Sequence, residues 1–350
     1  MTVRSTGTGI VDTIVVGGGA GGLAAAWHLR ERDRRFVVLD GGSPGDSWRR
    51  RYDSLRLFTP ARFCALPGLP FPEPADVHPG KEEMADYLAR YVQHHDLPVR
   101  SGVTVTHHRR TSGRHHLVTT GGEYEARRLI VATGALQRPR TPALAASLDA
   151  SVRQIHSSAY RRPSDVPPGP VLVVGAGPAG ADIALDLIAG HDVWLAGPST
   201  GHVPVRVVRS RLVRSLLYPR QVPPGPLGRL LRTRLVDHGG PLIWQSEATL
   251  RDAGIRRVPR VTAIREGFPQ LADGRVLRPS TVIWCTGLRP DHQWLDPRAL
   301  GPDGHPRHRR GISATIAGLA FVGLPLQHTF GSGFLSGMDG DAAYVIEHLP

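Results

Sequence analysis

Lysine is almost missing from this chain of 350 residues: Lys81 stands alone among 43 basic side chains, and the rest are arginine. Cysteine occurs only at Cys64 and Cys285, and never as C-x-x-C. The missing pair excludes a vicinal redox dithiol, and two distant thiols exclude a disulfide framework; each reads as a small buried side chain in a reducing compartment. No apolar run is long and glycine-free enough to cross a bilayer. The opening segment, Met1 to Gly9, is polar and lacks the apolar core of a secretory leader, so a cytoplasmic protein is expected. Acidic residues number 30, which leaves a net charge of +13. The arginines are spread along the sequence, so this charge reads as a solvated surface that steers anionic small molecules, with neither nucleic acid nor membrane expected as a partner. The run Arg206 to Arg214 is read the same way, or as the rim of a phosphate site. His94-His95, His107-His108 and His115-His116 are adjacent pairs. On a strand, neighbours point to opposite faces, so no pair chelates and no metal is expected.

Glycine is plentiful, and its placement is informative. Thr13-Ile14-Val15-Val16 reads as a buried strand that runs into Gly17-Gly18-Gly19-Ala20-Gly21-Gly22, a G-x-G-x-x-G turn, and then a small-residue helix over Leu23 to Ala26. Gly17 permits the tight turn, Gly19 lets a pyrophosphate approach the backbone, and Gly22 lets helix and strand pack closely. The helix N-terminus offers free N–H groups and a positive dipole end. A second strand, Phe36 to Leu39, ends in Asp40, where an acid accepts ribose hydroxyls.

Beyond Asp40 lies a Gly-rich loop from Gly41 through Ser47-Trp48 to Asp53, placed to cover a bound nucleotide. Phe58 to Pro72 is interrupted by proline and rich in apolar residues, as in a loop that lines a pocket. Lys81 to His95 reads as an amphipathic helix with Met84, Tyr87, Leu88 and Tyr91 on one side. Short strands are expected near Val103 to Thr106 and His116 to Thr119, with a hairpin turn at Gly121-Gly122. A strand over Arg128 to Val131 ends in Ala132-Thr133-Gly134. Pro163, Pro167, Pro168 and Pro170 mark a connection.

There the pattern restarts. Val171 to Val174 runs into Gly175-Ala176-Gly177-Pro178-Ala179-Gly180, followed by a helix over Ala181 to Ala189 and a strand at Val193 to Leu195. Asp273-Gly274 makes a turn, and the strand Thr281 to Trp284 ends in Cys285-Thr286-Gly287. Gly17 to Gly134 spans 117 residues and Gly175 to Gly287 spans 112. The same parts in the same order are an internal repeat. The expected fold is α/β, with two Rossmann-like dinucleotide-binding domains, the second inserted in the first: 1–160, then 161–284 inserted, then 285–350. The last part holds a strand over Leu319 to Gly323, a Gly-rich loop over Gln327 to Phe334, and a helix ending near His348 with Asp339 or Asp341 as its cap. That helix N-terminus suits the N1/C2-oxygen end of a reduced flavin.

The two fingerprints differ at one informative position. Where the first has Asp40, the second has Ala196-Gly197, and the missing acid removes the repulsion that would exclude a 2′-phosphate. The second site is therefore assigned to NADPH, held by Gly175, Gly177, Pro178, Ala179, Gly180, Gly197, Ser199, Thr200, Arg206, Thr286 and Gly287, with Arg209 near. FAD is assigned to the first site, through Gly17, Gly19, Ala20, Gly22, Asp40, Gly41, Ser47, Trp48, Thr59, Val105, Thr133, Gly134, Gly331 and Gly333.

With these parts in view, the chain resembles the flavin-containing monooxygenases, above all the compact bacterial members and the plant YUCCA branch. The resemblance covers nearly the whole chain. It is carried by both Gly-rich turns, Ser47-Trp48, Tyr52 to Leu55, Phe63 to Pro67, Ala132-Thr133-Gly134, His156 to Tyr160 and Thr286 to Pro290. It implies hydride transfer from NADPH to FAD, addition of O2 at flavin C4a, and oxygenation of a soft N or S nucleophile or a carbonyl in a small organic substrate. It also implies that His156 and Tyr160 couple the domains rather than do chemistry. No acid–base triad is expected, because the cofactor carries the reaction. The linker motif departs from the family at Ala150 and Val152, and Pro198 stands where related bacterial members often carry an arginine. An NADPH-dependent oxidase or reductase without oxygen insertion, a non-catalytic flavin redox sensor, and a homodimer are left open.

Overall fold

A computed structural model describes residues 11–223, 225 and 239–350. Its strands are β1 (Val11–Val16), β2 (Phe36–Leu39), β3 (Val99–Arg100), β4 (Val105–Thr111), β5 (Arg114–Thr119), β6 (Gly122–Val131), β7 (Arg138–Pro139), β8 (Arg153–His156) and β9 (Val171–Val174). They continue as β10 (Val193–Ala196), β11 (Arg256–Val258), β12 (Val261–Arg265), β13 (Phe268–Leu271), β14 (Thr281–Trp284), β15 (Leu288–Arg289), β16 (His308–Arg309), β17 (Ile312–Ser313) and β18 (Leu319–Phe321). The helices are α1 (Ala20–Arg30), α2 (Asp46–Arg49), α3 (Lys81–His94), α4 (Pro178–Leu187), α5 (Val205–Arg209), α6 (Arg211–Leu217), α7 (Glu247–Asp252) and α8 (Leu335–His348).

Two sheets organise the chain. The larger runs β16-β17-β18-β6-β1-β2-β3, with the β4–β5 hairpin attached through β5 to β6. Its centre is parallel: Val16 lies beside Leu39 on one side and Val131 on the other. Ile14, Val15 and Val38 are fully buried, as apolar strands covered on both faces must be. Helix α1 has Ala24, Ala25 and Ala26 with no exposed surface. Those small side chains join Ala342, Val345 and Ile346 of α8 in one apolar core. The smaller sheet, β11-β10-β9-β14-β8, is parallel throughout.

Several sequence expectations need correction. The strand Arg153–His156 precedes the expected boundary at 160, yet it pairs with Thr281–Trp284 in the second sheet. Ala145 and Val152 pack into the same core as Leu172 and Trp284. The inserted unit therefore begins upstream of 160. A short ribbon of β7 and β15, with Pro139 opposite Leu288, ties the outgoing and returning chains together. The hairpin expected at Gly121-Gly122 is present. A further turn at Ser112-Gly113, both with positive φ, extends β4 and β5 beyond the predicted strands. It brings together two histidines from different pairs. His108 and His115 are fully buried, with Nε2 and Nδ1 3.0 Å apart. Helix α8 starts at Leu335, with Phe334 at the cap position and no side-chain cap. Asp339 and Asp341 are thus interior to it: Asp339 meets His28 at 2.7 Å, and buried Asp341 accepts from Ser332.

Candidate functional site

Both Gly-rich turns have the same geometry. Gly17 (φ +109°) and Gly175 (φ +112°) adopt backbone that side chains rarely enter. A Cβ on Gly17 would lie 2.5 Å from the Ala132 carbonyl oxygen, and one on Gly175 would overlap that of Cys285. A Cβ on Gly22 would overlap the Gly17 carbonyl, and one on Gly180 that of Gly175. By contrast, a Cβ on Gly19 or Gly177 meets nothing within 4 Å. Each is the N-cap of its helix, in extended backbone, with no side chain over the free N–H groups. Each turn is thus closed where helix must meet strand and open where a pyrophosphate would lie, which fits a dinucleotide at both places.

The surrounding residues complete this fit unequally. Asp40 ends β2 beside the first turn, where it accepts from the backbone N–H of Gly18 and of Gly42, the latter at 2.7 Å. Gly41 follows it. Thr133 Oγ1, at the end of β6, is buried without a hydrogen-bond partner, so a donor or acceptor is available beside the cradle. Ala20 opens α1, and Ser47 and Trp48 lie on α2, with Trp48 packed against the core. Thr59 and Val105 are buried, with Thr59 Oγ1 3.4 Å from Cys64 Sγ. Gly331 and Gly333 lie in the loop before α8, where Gly331 N–H donates to the Tyr218 carbonyl at 3.0 Å.

In the second unit Pro178 and Ala179 open α4, and Gly197 ends β10 with φ +125°. Ser199 is exposed, and Thr200 Oγ1 is buried without a partner. Arg206 is exposed on α5 and forms no ion pair among the described residues, whereas Arg209 faces Asp76 at 3.7 Å. Sequence reasoning missed Arg257. Its guanidinium donates to the carbonyls of Leu195 and Gly197 at 3.1 and 3.0 Å and pairs with Glu247 at 3.0 Å. A cation thus sits at the strand end that lacks an acid. The second turn's strand exit is close-packed too: Gly287 accepts from Arg140 N–H at 3.0 Å, and Thr286 Oγ1 donates to the Arg140 carbonyl.

The linker and the preceding loop both reach α4. Tyr160, 1% exposed, packs into the core of the inserted unit with Val171 and Val173 and donates to Asp186 at 2.7 Å. Tyr52, from the loop after α2, donates to Asp182 at 2.7 Å, a contact absent from the sequence reading. Burial raises the Asp182 carboxyl above its usual range and raises both phenols, so the phenols stay protonated and donate. His156 bonds Ser158 through Nδ1 at 2.8 Å and reaches the Gly287 carbonyl through Nε2 at 3.1 Å; burial lowers its pKa. Beside these groups a cleft of about 350 Å³ opens between Ser54, Arg56, Asp182, Asp186 and Trp244.

A second junction joins the segment after α6 to the loop before α8. Tyr218 and Arg220, just beyond α6, accept from Gly331 and Phe330 N–H, and Val222 N–H donates to His328. Burial raises the thiol of Cys64 to about 11 and that of Cys285 to about 12, so both are protonated at neutral pH. Both are free, and a redox disulfide has no partners here. Among the described residues no cluster of three metal-ligating side chains occurs. No described helix is long and apolar enough to cross a membrane.

The sequence profile of the pyridine nucleotide-disulphide oxidoreductases matches residues 14–205, which hold both turns. The chain belongs to that family. It is 33% identical to an uncharacterized CzcO-like oxidoreductase of Geobacillus kaustophilus, over 97% of this chain and 98% of that protein. It is 30% identical to the probable indole-3-pyruvate monooxygenase YUCCA7 of Arabidopsis thaliana, over 83% and 77%. Among solved structures, the flavin-containing monooxygenase from Stenotrophomonas maltophilia superposes with a TM-score of 0.77 at 26% identity, covering 97% and 98% of the two chains. The bacillithiol disulfide reductase of Staphylococcus aureus shares the fold, with a TM-score of 0.69 at 18% identity. This chain is an FAD-dependent oxidoreductase that works with NADPH, of the flavin monooxygenase type.

Proposed function

We propose that this protein is a single-component monooxygenase that uses NADPH and O2 to place one oxygen atom in a small organic substrate. The observation that carries the reading is the pair of matching cradles in one chain, each open only where a pyrophosphate fits. We assign FAD to the cradle with Asp40 and NADPH to the one that ends in Gly197. Bound flavin supplies the electron relay between nicotinamide and oxygen. The protein holds the two nucleotides, sets their relative orientation through Tyr52, Tyr160 and His156, and covers the reacting face with apolar residues that exclude water. Relatives support oxygen insertion: the YUCCA proteins are named indole-3-pyruvate monooxygenases. A disulfide reductase reading, suggested by fold alone, meets two separate protonated thiols.

Two variants test the assignments. Gly197 is a poor place for an acid because its φ is positive, so exposed Ser199 is the better one. Ser199→Asp should shift preference from NADPH toward NADH by about 1–3 kcal/mol, as one close like charge would. Equal kcat/KM for the two nucleotides in the wild type would contradict the reading of this strand end. His156→Ala and Tyr160→Phe should leave FAD bound while slowing reduction by NADPH on the order of ten- to a hundredfold, because the units lose their fixed orientation. Unchanged rates of anaerobic flavin reduction in both variants would assign these residues to stability alone.

A further inference from the structure

Lys81 is the one lysine among 43 basic side chains, and it stands where a cation is least expected. It is the first residue of α3, at the positive end of the helix dipole, and is 8% exposed. Its hydrogen bonds account for the choice. Nζ donates to the Arg49 carbonyl at 3.2 Å, the Arg51 carbonyl at 2.9 Å and Asp53 Oδ1 at 2.6 Å. An ammonium sends three N–H donors from one atom, which is what three converging oxygens need. A guanidinium spreads its donors over a flat, rigid fork, so arginine cannot make the same set. In a chain that uses arginine at every other basic position, this one keeps lysine because of its geometry.

The turn so held reaches into the inserted unit. Tyr52 is buried with Val171, Val173 and Leu187 in that unit's core and donates to Asp182. Asp53 N–H donates to the Arg161 carbonyl at 2.8 Å, and Asp53 Oδ2 pairs with Arg162 Nε at 2.9 Å. Leu55 packs against both this core and the core of the first unit. Lys81 holds the same stretch from the other side, since Met84, Tyr87 and Leu88 of its helix are buried in the first unit's core. One carboxylate thus bridges the lysine of the first unit and the arginine of the linker. The hydrogen bond from Lys81 chiefly keeps that carboxyl below its usual pKa, so the bridge stays charged.

We propose that Lys81 is a positioning residue for hydride transfer: with Asp53 and Arg162 it forms a clasp that fixes the inserted unit against the first, a role arginine cannot take. The inference rests on the assignment of one nucleotide to each cradle, and is independent of what the reduced flavin does with oxygen. Lys81 acts through Tyr52 and Asp53 on how the nicotinamide meets the flavin, without contact to either.

The test compares two reductants of the FAD-loaded enzyme by anaerobic stopped flow. One is NADPH; the other is N-benzyl-dihydronicotinamide, a small hydride donor without the pyrophosphate that the second cradle holds. Lys81→Met and Lys81→Arg should both keep FAD and lower the limiting rate with NADPH by about tenfold or more, while the rate with the benzyl compound stays within about twofold of wild type. Asp53→Asn, at a half-exposed position, should act in the same direction by about threefold, and an unchanged ratio of the two rates there overturns the proposal even if the Lys81 variants do not fold. An NADPH rate within about twofold of wild type in either Lys81 variant also overturns it. So does equal slowing with both reductants, or loss of FAD, either of which would make Lys81 a residue of the flavin site or of stability alone. In wild type, saturation by NADPH but not by the benzyl compound reads the assignment of the cradles. The variant-to-wild-type ratio reads the clasp, so the two failures are told apart.

Discussion

Gly19→Val should purify folded and colourless, whereas Gly177→Val should purify yellow and fail to be reduced by NADPH. A Cβ at Gly19 or Gly177 meets no protein atom within 4 Å, and neither residue has a positive φ. A side chain that begins in open space at both positions should be accommodated by the fold and should displace a nucleotide pyrophosphate. A hundredfold or greater loss of affinity is expected at each site, about 2.7 kcal/mol or more. The two lesions are chemically alike, so each controls for the other. Dithionite should still bleach the flavin of Gly177→Val. Circular dichroism and melting temperature should match the wild type for both. If Gly19→Val retains FAD, or if Gly177→Val is the colourless one, the assignment of FAD to the first cradle is wrong.

Acid should destabilise the fold well before most carboxylates are protonated, and histidines held neutral by burial, His108 and His115 foremost with His292 and His95 in the same sense, set the window. His108 and His115 are fully buried and stacked, and burial lowers their pKa values to about 4 and about 3. In the unfolded chain each titrates near 6.5. The folded state therefore prefers both neutral. Stability is complete above the unfolded pKa and is lost as pH falls from about 6.5 toward the folded values. Two protons taken up on unfolding give a slope of up to about 2.7 kcal/mol per pH unit, less where the pair titrates as one. Asp341 acts in the opposite sense: burial raises it to about 6, so its protonation between pH 6 and 4 recovers part of one proton's worth. Asp296, held near 2 chiefly by Arg298, adds its own loss only below about pH 4. Denaturant unfolding at pH 7.5, 6.0 and 5.0 should show a net fall. His108→Leu/His115→Leu should flatten it. Equal slopes for wild type and double variant over that range would exclude the pair as the source.

Where the sequence was legible, the constraint was local and steric. Gly22 and Gly180 are required by the carbonyls of Gly17 and Gly175 within the same turn, and Gly17 and Gly175 by their own positive φ, so the repeat could be read from spacing alone. The buried stripe of α3, Met84, Tyr87, Leu88 and Tyr91, is likewise a periodicity. What escaped was set by distant partners. Strand Arg153–His156 has no strong strand signature and owes its place to Thr281–Trp284. The start of α8 was misplaced because Asp339 and Asp341 look like caps, while the helix in fact opens on Leu335, against the loop that holds Gly331. Arg214 was hidden among surface arginines: nothing in the run Arg206 to Arg214 distinguishes a buried guanidinium from an exposed one. Arg257 reached the end of β10 through strand order, which no local pattern reveals.

The central claim, oxygen insertion by an FAD- and NADPH-dependent chain, is most directly tested by turnover under labelled O2. Purified holoenzyme would be supplied with NADPH, 18O2 and a panel of aromatic organic acids, sulfides, amines and ketones, with product mass and hydrogen peroxide measured together. The account predicts at least one compound that gains a single 18O atom, with one NADPH consumed per product and peroxide release suppressed in proportion. NADPH consumption matched entirely by peroxide, with no labelled product from any compound, would contradict it and leave an oxidase.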